Sequence, residues 1–175
     1  MLSTVVVMGV TGKVTEFMVK LLDDAIATPD ADFPWAYDET TLQAEAGRWT
    51  KAGAMALKAR ILQFAASPLF NDSQGYYGGS SEAEQKHLVW YGEYKPEYWT
   101  RFKDACKAFL DKLNASGGYS LVQADGTRPE DYRLAYRTAY FDEGSSELIH
   151  SVHWLNKPGS SYNWYSWIGN TRSAY

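Results

Sequence analysis

The sequence GRWTKAGAMALKARILQFAASPLFN runs from Gly47 to Asn71 and predicts the central helix of the fold. Thr50 suits the amino-terminal cap of a helix, because its hydroxyl can accept a hydrogen bond from a free backbone N–H. Pro68 has no backbone N–H and disfavours helical backbone in the residue before it, so the helix must end before that point. We therefore expect a helix over residues 50–66.

The apolar residues of this helix lie on two faces rather than one. One face contains Ala54, Leu57, Ile61 and Phe64, and the other contains Ala52, Met55, Ala59, Leu62 and Ala66. Lys51 and Lys58 fall in a narrow gap between the faces and are expected to reach solvent. A helix that is apolar nearly all round must be covered on two sides, and its many alanines allow neighbouring helices to approach closely. The pattern predicts layers of packed helices.

Three further helices are predicted from apolar residues at helical spacing, near residues 14–27, 97–113 and 129–140. In the first of them the apolar positions are Val14, Phe17, Met18, Leu21, Leu22, Ala25 and Ile26, and those expected in solvent are Lys20, Asp23 and Asp24. Gly117 and Gly118 suit the carboxyl end of the third long helix, since glycine readily adopts the left-handed conformation found there.

A short strand and two irregular segments complete the prediction. Glu147–Trp154 is interpreted as a strand. Residues 67–96, with at most a short helix near Glu82–Trp90, and the aromatic-rich tail 156–175 show no regular period. The expected fold class is mainly α, with layered tetratricopeptide-like helical repeats, long loops and a short strand element.

The composition disfavours nucleic-acid binding and favours amphipathic ligands. The 175 residues include 17 Lys and Arg against 21 Asp and Glu, a formal net charge of −4, so no basic surplus exists to neutralise phosphates. Seven Trp and thirteen Tyr give much of the apolar surface a polar edge. Sugars and other partly apolar molecules are therefore the partners that the composition favours.

The single cysteine, Cys106, excludes an intrachain disulfide and a cysteine-rich zinc site. No apolar run reaches the roughly 18 residues that a membrane-spanning helix needs. The stretch Leu2–Val10 lacks the basic region of a secretory signal, and no cysteine that could carry a lipid follows it. We expect either a cytoplasmic protein or one whose true amino terminus lies upstream.

Four stretches, in order, resemble the SusD/RagB family of nutrient-binding outer-membrane lipoproteins. The segment Gly47–Asn71 resembles the core helix motif of that family. The stretch TEFMVKLLDDAIA (Thr15–Ala27) resembles the helix before it, and YWTRFKDACKAFLDKL (Tyr98–Leu113) and SSELIHSV (Ser145–Val152) resemble the helix and strand after it. The resemblance spans roughly residues 13–154, with Trp49 where smaller residues are commoner in the family.

The resemblance implies a non-enzymatic protein that binds oligosaccharides at the bacterial cell surface for nutrient uptake. It further implies a SusC-like TonB-dependent transporter as partner and a lipid anchor in the outer membrane. Family members are longer than this chain and carry a signal peptide, a lipid-bearing cysteine and a large carboxy-terminal region. We expect residues 1–175 to be a single, partial SusD-like helical domain.

Candidate glycan-binding residues lie where aromatic rings and amide groups occur together, because rings pack on the apolar face of a sugar while amides bind its hydroxyls. The tail offers Tyr162, Asn163, Trp164, Tyr165 and Trp167, and a weaker candidate pair is Tyr76 and Tyr77. These rings could equally be ordinary packing residues. Trp35 and Tyr37 are expected to dock onto a neighbouring helix.

The sequence nominates no catalytic residue, no metal site and no cofactor. His150 and His153 would point to opposite faces of the predicted strand, and none of the usual phosphate-loop, hydrolase or metalloprotease motifs occurs. The alternative to a glycan-binding protein is a helical-repeat scaffold that binds a protein or peptide partner. A glycan hydrolase is the third hypothesis and has the least support.

Overall fold

The computed structural model describes residues 10–37, 45, 47–75, 82–142 and 144–150. Within these residues the fold is mainly α and contains no strand. The helices are α1 (Val10–Ala27), α2 (Lys51–Ala66), α3 (Glu82–Gln85), α4 (Glu97–Ser116) and α5 (Pro129–Phe141). The four predicted helices are confirmed, although α1 begins earlier and α4 ends later than the apolar pattern indicates.

The start of α2 is fixed by its cap and by the preceding loop. Thr50 is extended, and its hydroxyl oxygen accepts a hydrogen bond from the backbone N–H of Gly53, as expected of a capping threonine. Lys51 and Ala52 donate their backbone N–H groups to the carbonyl oxygens of Pro34 and Trp35. The free N–H groups of the first turn therefore have protein partners.

The helix α2 lies between α1 and α4 and packs against both of them. Its most deeply buried residues are Gly53, Leu62 and the four alanines Ala52, Ala54, Ala65 and Ala66. Because these side chains are small, the axes of α1 and α4 can approach the axis of α2 closely. The three helices therefore pack together around these residues. The prediction that α2 is covered from two sides is confirmed, while Arg60, Gln63 and Phe64 remain exposed along one edge.

The prediction that Lys51 reaches solvent is wrong. Lys51 is only 7% exposed, and its ammonium group donates to the carbonyl oxygen of Thr28 and to the carboxylate of Asp30. A buried ammonium group is tolerated only when it is paired in this way. Lys58 does lie at the surface side of α2, where it pairs with Asp23 at 2.5 Å.

The docked face of α1 overlaps the predicted apolar face only in part, in the half-buried Leu22, Ala25 and Ile26. Thr15 and Val19 are buried, whereas Phe17 is 63% exposed and Leu21 is 53% exposed. On the docked face the carboxylate of Glu16 pairs with the guanidinium group of Arg101 in α4. An apolar row of α1 is therefore left at the surface of the described residues.

The strand predicted over Glu147–Trp154 is not confirmed. Residues 147–150 are irregular because the chain turns before them, with the backbone N–H of Leu148 bonded to the carbonyl of Ser145. Residues 151–154 lie outside the described residues. The helix α5 packs against none of the other described helices, and its tyrosines Tyr132, Tyr136 and Tyr140 are exposed.

Among the helices that the structure describes, none combines the length and hydropathy needed to span a lipid bilayer.

Candidate functional site

An open groove with a volume of about 670 Å³ lies where α1, α2 and the first turn of α4 meet. Its lining consists of Thr15, Met18, Leu57, Arg60, Ile61, Gln63, Phe64, Ser67, Pro68 and Trp99. The volume lies within the range typical of pockets for small ligands. The apolar residues Leu57, Ile61 and Phe64 belong to one of the two apolar faces predicted for α2. That face is therefore only partly covered, and the groove is the space left open beside it.

Two exposed aromatic rings belong to the lining of the groove, and each is supported by a second ring. Phe64 is 62% exposed, and its ring centroid lies 4.9 Å from that of Phe70. Trp99 is 40% exposed and lies 6.1 Å from Phe102 in an edge-on arrangement. Rings held by packing on one side and open on the other can pack on a flat apolar ligand surface.

The turn after α2 fixes where α4 begins, and so positions Trp99 relative to Phe64. Asn71, only 2% exposed, donates its side-chain N–H to the carbonyl oxygen of Lys95 at 2.9 Å. Its amide oxygen accepts the backbone N–H of Lys95 at 2.6 Å. Because Lys95 stands just before α4, this two-way bond couples the end of the Gly47–Asn71 segment to the residues that carry Trp99.

Beside the groove, α1 and α4 are joined by an ion pair over a buried aromatic stack. The guanidinium group of Arg101 donates to both carboxylate oxygens of Glu16, at 2.5 and 2.9 Å. The same guanidinium lies 5.6 Å from the ring centre of Tyr98, which stacks on Tyr91 with centroids 4.7 Å apart. This cluster holds the two helices that flank α2 in register.

The electrostatics of this cluster follow from burial and charge pairing. Burial raises the pKa values of Tyr91 and Tyr98 above the usual value for tyrosine, because the charged phenolate is disfavoured away from water. Hydrogen bonds to Glu16 raise the pKa of Arg101. The positive charge of Arg101 is thus already compensated by the carboxylate of Glu16.

Arg60 and Gln63 are the polar residues of the lining best placed to meet a ligand. Both are exposed. The hydroxyl of Ser67 already donates to the carbonyl oxygen of Phe64 at 2.7 Å, and Thr15 is buried against its neighbours. The groove therefore combines an apolar floor, two open rings, one amide and one guanidinium group. Such a surface can bind an amphipathic ligand.

The residues that the sequence nominated as glycan ligands are not among the described residues that line the groove. Tyr76, Tyr77, Tyr162, Asn163, Trp164, Tyr165 and Trp167 all lie outside the described residues. Phe64 and Trp99 were expected only to be helix residues. The signal that could have found Phe64 is its place with Leu57 and Ile61 on one of the two apolar faces of α2, although the distance between α2 and Trp99 is not readable from sequence.

The predicted docking of Trp35 is confirmed. Trp35 is buried, and its ring packs against Phe109 of α4 with centroids 5.5 Å apart. Tyr37 donates its hydroxyl to the carbonyl oxygen of Trp49 at 3.4 Å. Neither residue belongs to the lining of the groove.

The histidine of the predicted strand that the structure describes is His150, whose ring stacks on that of Trp49 with centroids 4.1 Å apart. His153 lies outside the described residues. Within the described part of the chain, no group of three or more His, Cys, Asp or Glu side chains is arranged to hold a metal ion.

Comparison with protein-family models, with curated proteins and with solved structures finds no match to this chain.

Proposed function

We propose that this chain is part of a non-enzymatic, SusD-like protein that binds oligosaccharides at the bacterial cell surface. In this proposal it delivers glycans to a SusC-like TonB-dependent transporter, and the full-length protein is a lipoprotein of the outer membrane. The layered helices belong to a tetratricopeptide-like repeat scaffold. The proposal begins from the four ordered stretches that resemble the SusD/RagB family.

The observation that carries the proposal is the pair of open rings, Phe64 and Trp99, in a groove that also presents Gln63 and Arg60. Aromatic rings pack on the apolar C–H face of a pyranose ring, while amide and guanidinium groups donate hydrogen bonds to its oxygens. The groove volume of about 670 Å³ suits a short oligosaccharide. The tail aromatics, including Trp164 and Trp167, remain proposed glycan-binding residues on the basis of their sequence.

Calorimetric titration against a panel of bacterial and plant polysaccharides tests the proposal. At least one polysaccharide is expected to bind, and Trp99→Ala should weaken that binding by about tenfold or more through loss of ring stacking. Trp164→Ala and Trp167→Ala report separately on the tail. Absence of heat with every polysaccharide would contradict the proposed function. Binding that is lost in Trp164→Ala but intact in Trp99→Ala would remove the groove from it.

A second candidate function is a scaffold that binds a protein or peptide partner. The observation that favours it is the exposed apolar row of α1, where Phe17 and Leu21 lie at the surface. Exposed apolar patches often mark protein interfaces. Capture of a partner that is lost in Phe17→Asp but retained in Trp99→Ala, without any saccharide binding, would support this function over the first.

A further inference from the structure

Among the described residues that line the groove, Arg60 is the one with a charged side chain. Three other described arginines bind acidic residues, whereas Arg133 and Arg137 of α5 lie outside the groove. Arg48 binds Glu45 at 2.9 Å, Arg101 binds Glu16, and Arg128 binds Asp131 at 2.8 Å. Within the described part of the chain, Arg60 makes no ion pair with an acidic residue. Its guanidinium group is thus available to an anion in the groove.

The charged groups around Arg60 leave it available to an anionic ligand. Lys58, two residues earlier on α2, pairs with Asp23 at 2.5 Å, so the nearest cation in sequence is compensated by α1. The lining that the described residues form contains no carboxylate. A negatively charged ligand would therefore meet one uncompensated positive charge and no nearby negative side chain in the lining.

We propose that the groove binds an acidic saccharide, with Arg60 paired to the carboxylate of a uronic acid residue. This inference rests on the proposed glycan-binding function and names the class of sugar. A uronate places a planar carboxylate where a neutral hexose has a hydroxymethyl group, and the guanidinium fork matches a carboxylate with two parallel hydrogen bonds. The apolar C–H face of the same ring packs on Trp99 or Phe64.

An array of oligouronates beside their neutral counterparts tests the inference. The probes are oligomers of galacturonate, mannuronate and glucuronate, and the matching oligomers of galactose, mannose and glucose. The wild-type chain should prefer an acidic oligomer over its neutral match by about tenfold or more, because a charge-assisted bidentate pair is stronger than a neutral hydrogen bond. Arg60→Gln should abolish that preference, and Arg60→Lys should restore part of it.

Arg133→Gln is the matched control, since Arg133 is an exposed arginine of α5 outside the groove. This variant should keep the full preference for acidic oligomers. Equal binding of acidic and neutral oligomers, or binding of neutral oligomers alone, would overturn the inference and leave the proposed function standing. A preference for acidic oligomers that survives Arg60→Gln would also overturn it. Binding of no oligomer of either kind would overturn the inference together with the proposed function.

Discussion

The indole Nε1 of Trp35 donates a hydrogen bond to the carbonyl oxygen of Gly117 at 2.8 Å. Trp35 lies in the loop between α1 and α2, whereas Gly117 ends α4, so the bond joins segments 82 residues apart in sequence. The ring also packs against Phe109 and Tyr119. This one side chain therefore fixes the loop that starts α2 against the end of α4.

Truncating Trp35 should destabilise the three-helix core. Trp35→Ala is expected to cost about 3–5 kcal/mol of unfolding free energy, because a buried aromatic ring and its packing are lost. Trp35→Phe loses the hydrogen bond and part of the ring packing, so it should cost about 1 kcal/mol or more but less than Trp35→Ala. Urea unfolding followed by circular dichroism measures both values. The partly exposed Trp99→Ala serves as control, and a loss in Trp35→Ala no larger than in that control would contradict the assigned role.

Lowering the pH should weaken the ion pairs that Asp30, in the loop between α1 and α2, makes with Lys51 of α2 and Lys112 of α4. Hydrogen bonds from Lys112 and Lys51 lower the pKa of Asp30 from 3.8 to about 2. Because the folded-state pKa lies below the unfolded value, this contribution is complete above about pH 4 and is lost as the pH falls towards 2.

Thermal unfolding between pH 7 and pH 2 measures this effect in the wild type and in Asp30→Asn. The variant should melt at a lower temperature at pH 7, and the two melting curves should converge near pH 2. Parallel behaviour of the two proteins over the whole range would show that Asp30 makes no pH-dependent contribution.

Enlarging a small residue on the covered side of α2 should be costly. Ala66 is fully buried and packs beside Tyr91 and Tyr98. Ala66→Leu is expected to destabilise the protein by about 1–3 kcal/mol through overpacking. Ala115→Leu, at an exposed position of α4, should change stability by no more than about 0.5 kcal/mol. Equal effects of the two substitutions in denaturant titrations would contradict the packing of α2.

Removing the Asn71 side chain should affect both stability and the groove. Asn71→Ala leaves the backbone N–H and carbonyl of Lys95 without this partner, which costs about 1–3 kcal/mol. The affinity for saccharide should also fall, because the start of α4 and the position of Trp99 depend on this contact. Asn114→Ala, at an exposed position, is the control. Unchanged stability in Asn71→Ala, measured by chemical unfolding, would contradict the proposed coupling.

The local features of the helices could be predicted from the sequence because they depend on neighbouring residues. Thr50 caps α2 through the N–H of Gly53, three residues away, and Gly117 ends α4 with a φ of 65°. Both outcomes follow from the conformational preferences of one residue type. Apolar residues at helical spacing were likewise enough to find α1, α4 and α5, whereas α2 was bounded by Thr50 and Pro68.

Contacts between distant segments could not be predicted in the same way. Lys51 is buried because Thr28 and Asp30 supply its acceptors, and this pairing leaves no mark on the helical period. The docked face of α1 likewise includes Glu16, which pairs with Arg101, 85 residues away in sequence. The groove joins residues of α1, α2 and α4. Phe64 and Trp99 could therefore be recognised in the sequence as aromatic residues, but not as residues that line the same groove.

A saccharide titration followed by nuclear magnetic resonance tests the central claim most directly. The claim is that a glycan binds between Phe64 and Trp99, with Arg60 at its charged end. Addition of the best-bound oligosaccharide should shift the indole N–H signal of Trp99 and the guanidinium signals of Arg60, and should produce contacts between the ring protons of Trp99 and sugar C–H protons. Saturating saccharide that leaves these signals unchanged while those of Trp164 and Trp167 move would contradict the account.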